Sequence, residues 1–498
     1  LMEALQRLHN RGSISTGFNI DNSLKFETDN TEYLMAEGRP QGTQTTWTWS
    51  CWLKRTEVNN GVIAQYIFSA GSDGKTGIYF RDDSSSTGGD TIFIYVDEGN
   101  SLKYIGELAV SFRDTSAWYH IVFAVDSTNS TAADRTKIYV NGVQQTITYS
   151  ATLNQNVSTR VGDGGGKFSI GGKVANTGYG FNGYMAECIL VDGSALTPTS
   201  FGEFDEDSNI WKPKDVSSLS LGTAGFHMNF DDSSNVGAVK TGTSQGNFDK
   251  YNLSAADQAT DTPTNNFATL NPLNRNSGSS GVTNNSVFTE GNTKITGNLN
   301  AYWQSGVANI GITSGKWYFE ATPYDSNTKI CTIGYGDEAD IENWGKNNDF
   351  PGAAGSKSYG YTGGTTAGYG QISPSTNLPN PAVTYNQTNI IGVAIDADNG
   401  YVYWSKDGTY INSGNPTSGA SGTGGIAIPT GAGTNGTLLP AVGFYYDGTV
   451  PIMLVNFGGY TTISISSPAS DSNNYGTFEY APPSGYYALC TKNLEEYG

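Results

Sequence analysis

The chain has 498 residues, of which 64 are glycine, 15% are charged and 12% are aromatic. That composition is too turn-rich and too poor in charged helix formers for a helical protein. The formal charge of −19 argues against a nucleic-acid backbone as partner, since that affinity is carried by Lys and Arg. No apolar run approaches the roughly 18 residues of a membrane-crossing helix, and at about 100–200 residues per domain the length points to several domains.

In chain order, Leu1, Leu5 and Leu8 fall on one helical face ahead of Gly12, which predicts a short helix. A helix under roughly 12–15 residues is marginal alone in water. Residues 1–20 are therefore read as a helix and attachment segment that docks on a neighbouring subunit or a larger assembly. The basic-then-apolar pattern of a secretory signal is missing from this stretch.

From Asn22 the chain reads as short strands of period two, separated by Gly, Asp and Asn turns: S-L-K-F, T-T-W-T-W-S-C-W-L and Y-I-F-S-A-G. The hairpin from Trp118 to Gly142 puts W-Y-H-I-V-F-A-V-D before a polar turn and K-I-Y-V-N-G after it, and a further strand follows at G-Y-M-A-E-C-I-L-V-D. Alternation at this spacing predicts an antiparallel sandwich. The motifs at 47–52, 118–126, 138–142 and 183–192 resemble the laminin-G-like branch of the concanavalin A-like lectin/glucanase superfamily. The resemblance spans residues 21–235 and implies a jelly-roll of two sheets. Residues 236–293, rich in Gly, Ser, Thr and Asn, are expected to form a connector over the surface.

Strands resume at Lys294 and include N-I-I-G-V-A-I-D-A-D-N-G-Y-V-Y-W-S-K-D-G at 389–408, two strands about a turn with a second turn at Asp407-Gly408. Both strands carry apolar or small residues on both faces, as for strands inside a sandwich. With G-K-W-Y-F-E at 315–320, I-G at 333–334, L-L-P-A-V at 438–442 and V-N-F-G at 455–458, the series is similar to a SPRY domain over residues 295–460. Residues 294–498 are assigned to this second sandwich and its tail, in which 486–490 are expected to add an edge strand. The fold class expected is thus all-β: two antiparallel jelly-roll sandwiches in tandem.

Catalytic residue patterns are scarce. Glu338-Ala339-Asp340-Ile341-Glu342 spells the E-x-D-x-E that endo-β-glucanases of the concanavalin A-like fold carry on one strand, where alternation aligns the carboxylates. Here it lies in the SPRY-like half, in a segment that reads as a loop, and Glu203-Phe204-Asp205-Glu206 lacks the spacing. His9, His120 and His227 come without a nucleophile elbow. Gly431 to Gly436 matches a dinucleotide fingerprint by letters but leads into a strand. Asp396 to Gly400, and Asp163, offer oxygen ligands for calcium, yet the loop lacks the distal Glu of an EF-hand and reads as an Asx turn. Cys51, Cys188, Cys331 and Cys490 are far apart in sequence and fit buried thiols. The residues expected to bind ligand are loop aromatics: Trp344, Tyr359, Tyr361, Tyr369 and Tyr445-Tyr446 in the second domain, Tyr179 and Phe181 in the first.

Two sandwiches in series, a polar connector and no catalytic set resemble the structural proteins of tailed bacteriophages. That resemblance implies a non-enzymatic, homo-oligomeric protein at the virion surface. It would be a tail fibre or adhesin with loops for a host-surface glycan or protein, held to other virion proteins by its N-terminal segment and needing no cofactor. A capsid- or tail-decorating role and a glycan hydrolase are the alternatives.

Overall fold

The computed structural model describes residues 17–29, 31–58, 64–71, 73–81, 89–98, 102–174, 178–242, 246–274, 286–298, 303–324, 328, 330–338, 340–341, 344, 351–353, 356–364, 372–373, 383–429, 437–445 and 448–498. The expected N-terminal helix lies outside them. The regular secondary structure of the described chain is nearly all β, as the alternation predicts, and its contacts gather into two compact units, Gly12–Asn265 and Asn266–Gly498.

The first unit contains β1 (Ser23–Phe26), β2 (Tyr33–Ala36), β3 (Thr46–Arg55), β4 (Gln65–Ala70), β5 (Thr76–Arg81), β6 (Thr91–Asp97), β7 (Leu102–Leu108), β8 (Trp118–Asp126), β9 (Thr136–Val140), β10 (Val143–Gln144), β11 (Ile147–Tyr149), β12 (Phe168–Ile170), β13 (Gly183–Asp192), β14 (Gly202–Phe204), β15 (Trp211–Pro213), β16 (Phe226–Met228), β17 (Asp249–Tyr251) and β18 (Gln258–Ala259). One sheet runs β10-β9-β8-β3-β13-β1-β18 with β16 also on β13, and the other runs β11-β7-β6-β5-β4-β12-β2-β17. Alternation decides what faces inward. In β3, Trp47, Trp49, Cys51 and Leu53 enter the core between the sheets, where they meet Phe68, Ile78, Phe80, Ile92 and Ile94 of the opposite sheet. The turn between β9 and β10 is Asn141-Gly142, with φ of 47° and 80°, the positive pair a two-residue hairpin favours.

Charged groups are buried in this unit, each with a partner. Arg55 lies 2.9 Å from Asp90, Lys54 lies 2.7 Å from Asp261, and Lys25 lies 3.0 Å from Glu32. Asp261 also accepts from the Trp118 indole at 3.0 Å.

The second unit contains β19 (Val287–Thr289), β20 (Lys294–Thr296), β21 (Trp303–Val307), β22 (Lys316–Pro323), β23 (Ile330–Asp337), β24 (Tyr359–Gly363), β25 (Ile372–Ser373), β26 (Ile391–Asp396), β27 (Tyr401–Lys406), β28 (Thr409–Tyr410), β29 (Ile426–Ala427), β30 (Leu438–Tyr445), β31 (Ile452–Asn456), β32 (Ala469–Ser470), β33 (Thr477–Phe478), β34 (Tyr487–Ala488) and the helix α1 (Thr491–Tyr497). Its larger sheet is ordered β19-β20-β31-β22-β26-β27-β28, with β29 on β27 and β34 on β22, and its smaller one is β21-β30-β23-β24-β25. The hairpin β26–β27 pairs Ile391 with Lys406 and Asp396 with Tyr401. Its two apolar faces have separate uses. Ile391, Val393, Ile395, Val402 and Trp404 fill the inter-sheet core, whereas Ala394 and Tyr403 join Tyr318 under a cover of Phe478, Tyr486, Ala488 and Cys490. The C-terminal segment is thus a third layer.

That layer is pinned by two buried acids. Glu320 accepts backbone N–H groups of Glu479 (3.0 Å) and Tyr480 (2.8 Å), and burial pushes its carboxyl above the usual range against the pull of those bonds. Asp471 accepts from the backbone N–H groups of Tyr475 and Ala488 and from the Asn493 side chain, each at 2.9 Å.

Two expectations need correction. Residues 236–293 are not a connector. Within them β17 pairs with β2 and β18 pairs with β1 in the first unit, while β19 pairs with β20, just beyond them, in the second, so the division falls at Asn265/Asn266. Glycine and serine hid these strands because two- and three-residue pairings leave almost no periodicity. The strand expected at 486–490 is reduced to β34, which lies parallel to Trp317–Tyr318 and gives way to α1.

Candidate functional site

Three of the loop aromatics, Trp344, Tyr361 and Phe181, prove to be interior. Trp344 and Tyr361 are 1% and 0% exposed. Trp344 packs with Val307, Ile341 and Ala441 over Gly336, where a Cβ would come within 2.7 Å of the indole. Tyr361 faces the inter-sheet core from β24, and Phe181 lies in the core of the first unit. Half-buried Tyr359 packs on Tyr335, and half-buried Tyr445 packs edge-on against Trp303 at 5.8 Å. Tyr369 and Tyr446 lie outside the described residues. Tyr179 borders a cleft in the first unit. A surplus of tyrosine in a low-aliphatic chain is spent on its cores, which is why polar-edged aromatics misled the reading.

The acidic motif does not present a row of carboxylates on a strand. Backbone at Glu338, Asp340 and Ile341 is helical, Glu342 is outside the described residues, and Asp340 accepts from the Lys357 and Ser358 backbone N–H groups at 2.7 and 2.9 Å. The fingerprint at Gly431–Gly436 is also outside them. Asp396 accepts from the Asn399 side chain at 2.8 Å and pairs with Lys316 at 3.0 Å, and Asp398 accepts from the Gly315 N–H at 2.7 Å. These acids are engaged by protein donors, and among the described residues no group of three or more His, Cys, Asp or Glu is placed to hold a metal ion.

His120 makes the nearest approach to a nucleophilic pair. Its Nε2 is 2.9 Å from Ser50 Oγ, and its Nδ1 accepts from the Trp211 indole at 3.0 Å. Indole only donates, so Nδ1 carries no proton, and the neutral ring must hold its proton on Nε2, aimed at Ser50. That is the wrong tautomer for taking a proton from Ser50. Burial lowers the His120 pKa to about 3 from an ordinary 6.5. The unfolded chain therefore gains a proton below pH 6.5 that the folded one refuses. Stability from this group is complete above pH 6.5 and is lost towards pH 3, at up to about 1.4 kcal/mol per pH unit. Urea melts between pH 7 and pH 4 are expected to show a slope that His120→Phe flattens. His227, 2.7 Å from Glu187 at the bulge of β13, forms a separate buried pair.

The cleft lies on the face of the second sheet turned away from the core. Along β5 and β6, Ile78, Phe80, Ile92 and Ile94 point inward, so Tyr79, Phe93 and Tyr95 point outward. Tyr66 stands opposite Tyr79 and Tyr79 opposite Phe93 in the strand register. The Tyr66 and Tyr79 rings stack at 4.6 Å with planes 24° apart, and Tyr79 stacks on Tyr95 at 5.6 Å. Ala64, Gly74, Lys75, Lys173 and Tyr179 complete a cleft of about 200 Å³, room for one sugar-sized group but below the roughly 300 Å³ at which drug-sized pockets begin. Lys173 Nζ sits 5.5 Å from the Tyr66 and Tyr179 ring centroids. Burial holds the Tyr66 and Tyr79 phenols above the usual tyrosine range, so they remain donors. A signal for this site was present in the sequence: Y-I-F, G-I-Y-F and I-F-I-Y-V place polar-edged aromatics on the non-core face of three successive strands.

All four cysteines are buried and free, and burial pushes the Cys51 and Cys331 thiols up to about 12. No described helix is long and apolar enough to cross a membrane.

No curated protein matches the chain. Among solved structures, the SPRY domain of human HERC1 is similar at 15% identity and TM-score 0.27, covering 37% of this chain and 96% of that one. A SAP-like pentraxin from Limulus polyphemus is similar at 18% identity and TM-score 0.26, covering 36% of this chain and 80% of that one. Domain 4 of AbnA, a GH43 extracellular arabinanase from Geobacillus stearothermophilus, solved with arabinotriose, is similar at 18% identity and TM-score 0.23, covering 34% and 69%. Residues 28–200, which carry β2 to β13, the tyrosine cleft and His120, match the Laminin_G_3 family of the concanavalin A-like lectin/glucanases superfamily.

Proposed function

We propose that this chain is a binding protein of a virion surface, a tail fibre or adhesin whose first sandwich takes a host-surface glycan in the tyrosine cleft. The observation that carries the reading is the cleft itself, one sugar in size, whose described lining has four tyrosines and two lysines and no carboxylate. Glycoside hydrolysis needs a pair of carboxyl groups across the bond, so such a lining suits holding rather than cutting. The concanavalin A-like match and the pairing of two contact-forming sandwiches support the same reading. On this reading the protein needs no cofactor, and its N-terminal segment would join it to other virion proteins as a homo-oligomer.

On a glycan array the full chain is expected to retain a defined set of glycans and to lose them, by tenfold or more, on Tyr179→Ala, with its thermal melt unchanged. Reducing-sugar release abolished by Glu338→Gln would replace binding by hydrolysis.

A decorating role is the second reading, favoured by the exposed apolar residues Val287, Tyr324 and Val450 of the second unit, which are 45%, 53% and 41% exposed. Tight binding to purified virions with cells and glycans ignored would select it.

A further inference from the structure

Among the described residues the polar lining of the cleft is two ammonium groups, which only donate, and four phenol hydroxyls, which donate or accept. Tyr66 and Tyr79 stack on each other and Tyr79 stacks on Tyr95, so ring faces that could lie on a sugar are largely taken. Tyr79 and Tyr95 also share a hydrogen bond, which leaves ring edges, the Tyr66 and Tyr179 hydroxyls and the lysine ammonium groups to face a ligand. A neutral sugar, whose hydroxyls donate as well as accept, is ordinarily met by amide or carboxylate acceptors, and neither residue type is among the described residues that line this cleft.

The two lysines also differ. Lys75 is neutralised by Asp73 at 2.6 Å. Lys173 rests over the Tyr66 and Tyr179 rings and has no carboxylate partner among the described residues. Among the described residues the site thus keeps one cation without a carboxylate partner, on a chain of formal charge −19.

We propose, building on the glycan-binding reading above, that the cleft recognises an acidic glycan by seating an oxyanion group, carboxylate or sulfate, against the Lys173 ammonium and the surrounding phenols. A hydrogen bond between charged partners is stronger than one between neutral groups. A half-buried ammonium held on aromatic faces is also poorly solvated, so it gains from an anion more than a surface lysine does.

The test uses the full chain on immobilised polygalacturonate, dextran sulfate and unmodified dextran. One or both acidic polymers are expected to bind at least tenfold more tightly than dextran. The preferred polymer distinguishes carboxylate from sulfate. Binding should weaken as salt rises from about 50 mM to about 500 mM. Lys173→Met, which keeps the packing on both rings and removes the charge, is expected to lower acidic-polymer affinity about tenfold, and Lys173→Arg to restore it, with unchanged melts. Acidic-polymer binding that survives both Lys173→Met and Lys173→Glu overturns the proposal. So does equal binding of dextran that is lost on Tyr179→Ala, although glycan binding in the cleft would then stand. Absence of binding to all three polymers and to the glycan array removes both readings.

Discussion

Asp90→Ala is expected to destabilise the first unit by about 3–5 kcal/mol, the cost of leaving one charge of a buried pair without its partner. The Arg55 and Asp90 side chains are both 0% exposed and 2.9 Å apart. Arg55 also donates to the Phe112 carbonyl at 2.7 Å and lies 4.3 Å above the Phe80 ring, so the guanidinium has no route to water when the carboxylate is removed. For a unit of this size the loss corresponds to a fall in Tm of about 10 °C or more, read from a thermal melt. Asp90→Asn should cost less, since it keeps an acceptor and tolerates the positive φ of 56° at this position. Arg55→Met with Asp90→Ala should recover part of the loss, because no charge then remains buried. A single Asp90→Ala variant within about 1 kcal/mol of the parent would show that water reaches Arg55.

In the second unit Trp404→Ala is expected to cost about 3–5 kcal/mol, as large aromatic deletions in packed cores do. Trp404 is 1% exposed in the inter-sheet core, and its indole donates to the Ile333 carbonyl at 2.8 Å. That bond ties the hairpin β26–β27 to β23 of the opposite sheet, so the substitution removes packing volume and an inter-sheet tie together. Trp404→Phe keeps most of the volume and should lose only about 1–3 kcal/mol, the cost of an unsatisfied buried carbonyl with a smaller ring. Urea titration of the two variants separates the contributions. An equal loss in both would assign the effect to the hydrogen bond alone.

The sandwiches were legible because alternation is read directly from residues such as Trp47, Trp49 and Cys51, or Val393 and Ile395. The turns were legible because Asn141-Gly142 and Asp407-Gly408 supply the positive φ their hairpins require. Three things were hidden, each for a physical reason. The short pairings of β17 and β18 hold by backbone hydrogen bonds, which leave no residue signature. The burial of Trp344 and Tyr361 depends on neighbours distant in sequence, such as Val307 and Tyr385. The cleft needed Tyr66, Tyr79 and Tyr95, on the three adjacent strands β4, β5 and β6, to be joined by Lys173 and Tyr179 from loops. Period two says which residues share a face but not which face a loop will border.

The third layer of the second unit sets an order of events during synthesis. Tyr318, Ala394 and Tyr403 leave the ribosome well before their cover of Phe478, Tyr486 and Ala488. From the end of β27 to that cover is roughly 80 residues, several seconds of translation at about 5–20 residues/s. Throughout that interval a sticky sheet surface is naked, so the nascent chain is a natural client for a holding chaperone, and a product cut short before Glu479 would be expected to aggregate rather than fold.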